Sequence, residues 1–120
     1  MENLESLKQN LSSELRRGTL LLMVLNSLNE PQYGYSLIQH LADIGMKVEQ
    51  NTLYPLLRRL EKQGLVDSEW MVGQSRPRRY YSINQNGITI RSHLLKEWEN
   101  MNQILIRQDQ GLEEDHEKLD

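Results

Sequence analysis

Arg58, Arg59 and Lys62 stand within one helical turn of each other, and Arg76, Arg78 and Arg79 crowd a second short stretch. On a helix the first set shares one side. Long cations gathered in this way bind phosphate oxygens through charge-assisted hydrogen bonds. Thr52 and Tyr54 add hydroxyl donors beside them. Such a set fits the backbone of a nucleic acid, but it also fits a plain solvated surface, and the distribution of charge separates the two. Between Lys47 and Arg91 eight Lys or Arg meet four Asp or Glu, in a chain whose formal net charge is −3. Positive charge collected into one segment of an acidic protein is the pattern of a localised phosphate contact. Other chemistries have less to work with. His40, His93 and His116 share no metal-ligand spacing, cysteine is absent, and there is neither a glycine-rich phosphate loop nor a nucleophile beside a base. No enzymatic activity, metal or cofactor is expected.

The elements that must carry these cations follow from periodicity. Leu53, Leu56, Leu57 and Leu60 fall at i, i+3, i+4 and i+7, a buried stripe, with Pro55, Arg58, Arg59 and Lys62 opposite. Lys62, Gln63 and Gly64 close this helix, with a cation at the negative end of the dipole and a glycine free to take the left-handed cap. A proline beyond the first turn removes a backbone hydrogen bond, so the start is expected close to Asn51; a start at Glu49 with a slight kink is the other option. Tyr54 lies on the border of the stripe and is either a half-buried packing residue or a phosphate donor. Residues 65–72, with Val66 and Trp70, and 79–83, with Tyr80, Tyr81 and Ile83, are strand candidates. Gly73, Gln74, Ser75 and Pro77 supply the turn between them. Tyr81 and Ile83 are expected to face inward. Arg76, Arg78 and Arg79 then sit at or beside a hairpin tip, within reach of phosphates or a narrow minor groove. A basic helix followed by a basic ribbon is the outline of a winged helix-turn-helix, whose partner is double-stranded DNA.

Upstream, Leu4, Leu7, Leu11 and Leu15 mark an amphipathic stretch that continues through Leu20, Leu21, Leu22, Val24, Leu25 and Leu28. Gly18 interrupts it. An interior glycine costs a helix about 1 kcal/mol relative to alanine, so Gly18 either separates an N-terminal arm from the first core helix or marks close helix packing. A turn is expected over 29–32 and a second helix over 33–44, with Tyr35, Leu37, Ile38, Leu41 and Ile44 available to the core and Gly45 at its end. The last helix is expected over 85–108. Within it Leu94, Trp98, Met101 and Leu105 are spaced four, three and four, and Leu112 continues the heptad. A winged-helix core closes without this stripe, so it packs either against a second subunit or on the first helix of its own chain, and Leu7 and Leu11 could join the same interface.

The expected architecture is mainly α with a small β-ribbon: a winged helix-turn-helix DNA-binding domain with its N-terminal helix over 1–84, a C-terminal dimerisation helix over 85–110, and an acidic, disordered tail over 111–120. A chain of 120 residues, 38% hydrophobic and 26% charged, suits one small domain that needs a partner to bury enough apolar surface. The longest apolar run, 20–25, is too short to span a bilayer, and no basic segment of a signal peptide precedes it. A cytoplasmic protein without a membrane partner is expected.

YGYSLIQHL at 33–41, TLYPLLRRLEKQGLV at 52–66, Trp70 and RRYYSINQNG at 78–87 together resemble the PadR-like family of bacterial transcriptional repressors, over about residues 16–105. The Thr-Leu-Tyr-Pro helix start combined with the Arg-Tyr-Tyr strand is more specific than a generic helix-turn-helix pattern. Two positions depart from the family. Asn84 stands where threonine is more usual before the last helix, a change that an N-cap tolerates. Glu49 stands near the recognition-helix start, where a small capping residue is more usual.

The resemblance implies a sequence-specific DNA-binding transcriptional regulator, a homodimeric repressor on a pseudo-palindromic operator, released by a small aromatic ligand. Two copies would read half-sites about one helical turn apart. Each recognition helix would enter a major groove with Thr52, Tyr54, Arg58, Arg59 and Lys62, while Arg76, Arg78 and Arg79 of the wing meet the flanking backbone or minor groove. Leu94, Trp98, Met101 and Leu105, with Leu7 and Leu11, would form the dimer interface. In some members of the family an aromatic residue at the position matching Trp98 lines a cavity between subunits and stacks on flat aromatic drugs; others respond to phenolic acids bound between the winged domain and the last helix. Trp98, with Met101 and Leu94, is thereby implied as the lining of a pocket for a planar aromatic effector. The plainer alternative makes Trp98 a dimer anchor alone. A constitutive repressor without an effector, and a winged helix used only as a protein-interaction module, are the competing functions.

Overall fold

Asn3 opens the first helix, α1 (Leu4–Ser27), by accepting a hydrogen bond from the Ser6 N–H at 2.8 Å. The computed structural model describes residues 3–73 and 76–119, with residues 114–119 as backbone only. Gly18 does not interrupt α1, and a Cβ placed on it would meet nothing within 4 Å, so it is neither the expected break nor a tight crossing point. Burial of Leu20, Val24 and Leu25 in the following turns offsets the propensity cost of the glycine.

The chain turns at 28–30, close to the anticipated place, and differs from expectation only after it. Gln32–Tyr33 form a short strand, β1, and the second helix, α2 (Gly34–Asp43), begins only after it. Leu37 and Leu41 of α2 are buried and Ile38 packs on the core from its edge, but Tyr35 and Ile44 are both more than half exposed. Tyr35 lies roughly 160° from Leu37 around the helix. Ile44 is the non-helical cap residue, and Met46, whose N–H returns to the Leu41 carbonyl, takes the buried place instead.

The third helix, α3, spans Gln50–Lys62 with Glu49 at its cap, and the Glu49 side chain makes no capping bond. Pro55 therefore lies inside the helix, past the first turn, and leaves the Asn51 carbonyl without its usual donor. Leu53, Leu57 and Leu60 nonetheless bury fully against the core. After α3, Gly64 takes a φ of +78°, and the N–H groups of Leu65 and Gly64 return to the carbonyls of Leu60 and Glu61. This is the paired closure that a left-handed glycine permits.

Strands β2 (Val66–Met71) and β3 (Arg78–Ile83) pair antiparallel in a register that sets Val66 against Ile83 and Met71 against Arg78. β1 adds to the other edge of β3, with Tyr33 opposite Tyr80, giving the order β1-β3-β2. Two of the expected turn residues, Gln74 and Ser75, lie outside the described residues. Tyr81 is buried and Ile83 packs on the core, both facing inward as expected, whereas Trp70 is 60% exposed.

Asn84 joins the wing to the last helix, α4 (Gln85–Leu119). Its Oδ1 accepts from the Gly87 N–H at 2.9 Å, and its Nδ2 donates to the Gly64 carbonyl at 3.0 Å. A Cβ on Gly87 would overlap the Leu65 carbonyl oxygen, so α4 approaches the end of α3 as closely as it does only because residue 87 lacks a side chain. The helix continues past residue 108, its expected end, into the segment expected as a disordered acidic tail, and its backbone is helical through Leu119. One glycine, Gly111, costs too little to stop it. The fold is thus mainly α with a three-stranded antiparallel sheet, a winged helix-turn-helix whose last helix extends away from the core. The radius of gyration is 18.7 Å, against about 14 Å for a compact domain of this length.

Candidate nucleic-acid interface

Burial of Leu53, Leu57 and Leu60 fixes the rotation of α3, and that rotation turns Thr52, Arg58, Arg59 and Lys62 to solvent. The four are exposed as the sequence required of phosphate or base-edge contacts. Tyr54 is half-buried and packs on the core, with its ring in the space that a side chain on Gly34 would fill. The packing option for Tyr54 is therefore realised, and Gly34, which sequence reasoning did not single out, is the residue that makes room for it.

The wing arginines occupy three different situations. Arg76 is exposed at the end of the ribbon. The Arg78 guanidinium lies 4.4 Å from the centre of the Tyr33 ring, which in turn meets Tyr80 edge-on at 5.4 Å. Arg79 is engaged within the protein: Nη2 donates to Glu61 Oε1 at 2.7 Å and Nε donates to Ser68 Oγ at 3.0 Å. The Ser68 hydroxyl donates in turn to the other oxygen of Glu61. Glu61 on α3, Ser68 on β2 and Arg79 on β3 form one closed network that fixes the wing to the helix. The Ser68 hydrogen bond holds the Glu61 carboxyl below its ordinary value of 4.5, and the Arg79 guanidinium adds to this against partial burial, which acts the other way. Burial pushes the Tyr81 phenol up. Between the start of α2, α3 and the wing lies a groove of about 610 Å³ lined by Tyr33, Tyr54, Trp70 and the three wing arginines among others.

On the opposite side, α1 and α4 run together. Leu94, Trp98, Met101 and Leu105 of α4 line a groove of about 400 Å³ with Leu15, Gly18, Leu21 and Leu22 of α1, so the stripe meets its own first helix. It is not covered by it: Trp98 is 42% exposed and Leu105 is 61% exposed. Leu7 and Leu11 are exposed further along α1 and do not line the groove. Among the described residues no group of His, Asp or Glu is placed to hold a metal ion, and no helix is long and apolar enough to cross a membrane.

The family described as "Transcriptional regulator PadR-like family" matches residues 21–92, from the buried half of α1 through the wing into α4. The chain belongs to the PadR-like family of transcriptional regulators. The crystal structure of a PadR family transcriptional regulator from Eggerthella lenta is 44% identical, with a TM-score of 0.81, and covers 84% of this chain and 90% of that one. A PadR-like transcriptional regulator from Bacillus cereus is 25% identical with a TM-score of 0.69, over 77% of this chain and 92% of its own. A transcriptional regulator of Mycobacterium tuberculosis is 37% identical over 75 residues, 62% of this chain and 70% of the relative. In this PadR-like regulator the exposed cations of α3 and the wing therefore belong to a transcription-regulating fold. The Glu61–Ser68–Arg79 network and the β1 edge are the parts of the site that sequence spacing did not reveal. A glutamate on α3 and a serine on the next strand carry no local signal of pairing.

Proposed function

We propose that this PadR-like regulator is a homodimeric repressor that binds a pseudo-palindromic DNA operator and is released by a planar aromatic ligand. The observation that carries the DNA contact is the exposure of Arg58, Arg59 and Lys62 together on the solvent face of α3, beside Arg76 and Arg78 of the wing. In this proposal α3 enters the major groove with Thr52, Arg58, Arg59 and Lys62, Arg76 and Arg78 reach flanking phosphates, and Arg79 and Tyr54 hold the two elements at the angle the groove requires. Action on DNA sets the cytoplasm as the place of work.

Dimerisation is supported by the apolar residues that α4 leaves uncovered, Trp98, Met101, Ile104 and Leu105 among them, and by the extension of this helix away from the core. Residues 85–110 are the proposed dimerisation segment, with Leu7 and Leu11 of α1 at its margin. The α1–α4 groove, apolar and bordered by Trp98, Met101 and Leu94, is the proposed effector site.

Two titrations test the proposal. The slope of log binding constant against log salt falls by roughly 0.9 for each phosphate that the protein no longer neutralises, so Arg58→Ala with Arg59→Ala flattens it by about two per bound subunit. An unchanged slope removes both arginines from the interface. In a Trp70→Phe background, planar aromatic compounds quench the remaining Trp98 emission; emission that no such compound alters leaves Trp98 a packing residue and the regulator without this effector site.

A further inference from the structure

The two faces of α1 point to different partners. Leu15, Gly18, Thr19 and Leu22 repeat at three, one and three and border the apolar groove with α4. Ser13, Arg16, Arg17 and Leu20 repeat at the same spacings on another side of the helix. Leu20 is buried in the core, and Arg16 and Arg17 stand four and three residues before it, which places both over the same flank of the domain. There, with Met46, Lys47, Val48, Glu49 and Thr52, they line a groove of about 290 Å³ at the start of α3.

Its charged residues are Arg16, Arg17, Lys47 and Glu49, three cations against one anion, with the hydroxyls of Ser13 and Thr52 beside them. The Arg16 Nε donates to the Ser12 carbonyl at 3.2 Å, which ties one guanidinium nitrogen to the helix backbone while the residue remains exposed. Thr52 belongs at once to this groove and to the exposed face of α3, so the two surfaces are continuous. Arg16 and Arg17 lie outside the basic segment 47–91, and only the fold brings them to it.

We infer that this groove seats a DNA backbone phosphate flanking the major groove that α3 enters, with Arg16 and Arg17 of α1 and Lys47 as its ligands. The inference rests on the DNA-binding proposal and enlarges the footprint from helix and wing to include the first helix. Such a contact positions the protein without reading sequence, because a phosphate is the same at every base pair. It also offsets Glu49, the anion at the recognition-helix cap, which would otherwise repel the backbone as the helix enters the groove.

The test uses the full chain and fluorescence anisotropy on its selected operator and on an unrelated duplex, across a salt series. Arg16→Ala with Arg17→Ala weakens both complexes by a similar factor and lowers the salt slope by roughly one per bound subunit. Arg16→Lys with Arg17→Lys restores the slope, while Glu49→Gln tightens both complexes. Lys96→Ala, on the outer surface of α4, is the control for net charge. Wild-type slope in the double alanine variant overturns the inference, as does an equal weakening in Lys96→Ala. A wild-type protein that binds no duplex in the first place defeats the DNA-binding proposal itself, which keeps the two failures apart.

Discussion

Arg79 distinguishes a brace from a contact, and its replacement gives opposite results in the two cases. In the folded protein its guanidinium spans the Glu61 carboxylate at 2.7 Å and the Ser68 hydroxyl at 3.0 Å, with the two charged side chains 38% and 29% exposed. Solvent screens a pair so placed, so the ion pair contributes about 1 kcal/mol, near the upper end for accessible pairs. The bond to Ser68 brings the cost of Arg79→Ala to roughly 1–2 kcal/mol. In urea this is a fall in midpoint of roughly 0.5–1 M, measured at fixed protomer concentration because self-association would shift it. A double-mutant cycle with Glu61→Ala isolates a coupling of about 1 kcal/mol. Because Arg79 is already neutralised inside the protein, the same substitution changes the DNA salt slope by less than about 0.5 per subunit. Coupling near zero, or a slope that falls by a full unit, would show Arg79 facing phosphate and refute the brace.

Three further outcomes follow. Gly87→Ala drives a methyl group into the Leu65 backbone carbonyl and costs about 1–3 kcal/mol or more in urea; Gly34→Ala meets only the outer edge of the Tyr54 ring, costs less, and becomes nearly neutral in a Tyr54→Ala background. Equal costs would mean that the start of α4 can slide away from α3. Since the Glu61 carboxyl lies below 4.5, its contribution is complete above that pH and is lost as the pH falls through the lowered value, so wild type and Glu61→Gln differ in urea midpoint at pH 6 and converge as the pH falls through that lowered value. A constant difference across that range would contradict it. If the proposed dimer forms through α4, Leu105→Glu leaves the exposed residue's own domain folded but yields a monomer in sedimentation equilibrium where wild type is a dimer; retained dimer mass in the variant would place the interface elsewhere.

The elements that position the interface were legible where burial follows a single period. Leu53, Leu57 and Leu60 identify α3, and Tyr81 and Ile83 orient the wing, because each alternation has one dry side. What was not legible depends on contacts between elements. β1 is two residues long and exists because Tyr33 and Tyr80 pair across it, which no local pattern encodes. Ile44 has the right helical angle for the core but lies where the helix has already turned. The wing cations read alike along the chain, yet the fold gives Arg79 to Glu61, Arg78 to the Tyr33 ring, and leaves Arg76 exposed. The same distance in sequence hid Arg16 and Arg17, whose place at the start of α3 comes only from the burial of Leu20.

The central claim is that two copies of this chain grip one operator, each with its α3 in a major groove. Hydroxyl-radical footprinting on DNA selected from a random pool tests it most directly. The prediction is two protected patches on one face of the duplex, centred about 34 Å apart or a multiple of that, which fade together when Arg58 and Arg59 are both alanine. A single patch, or no protection at physiological salt, would contradict it.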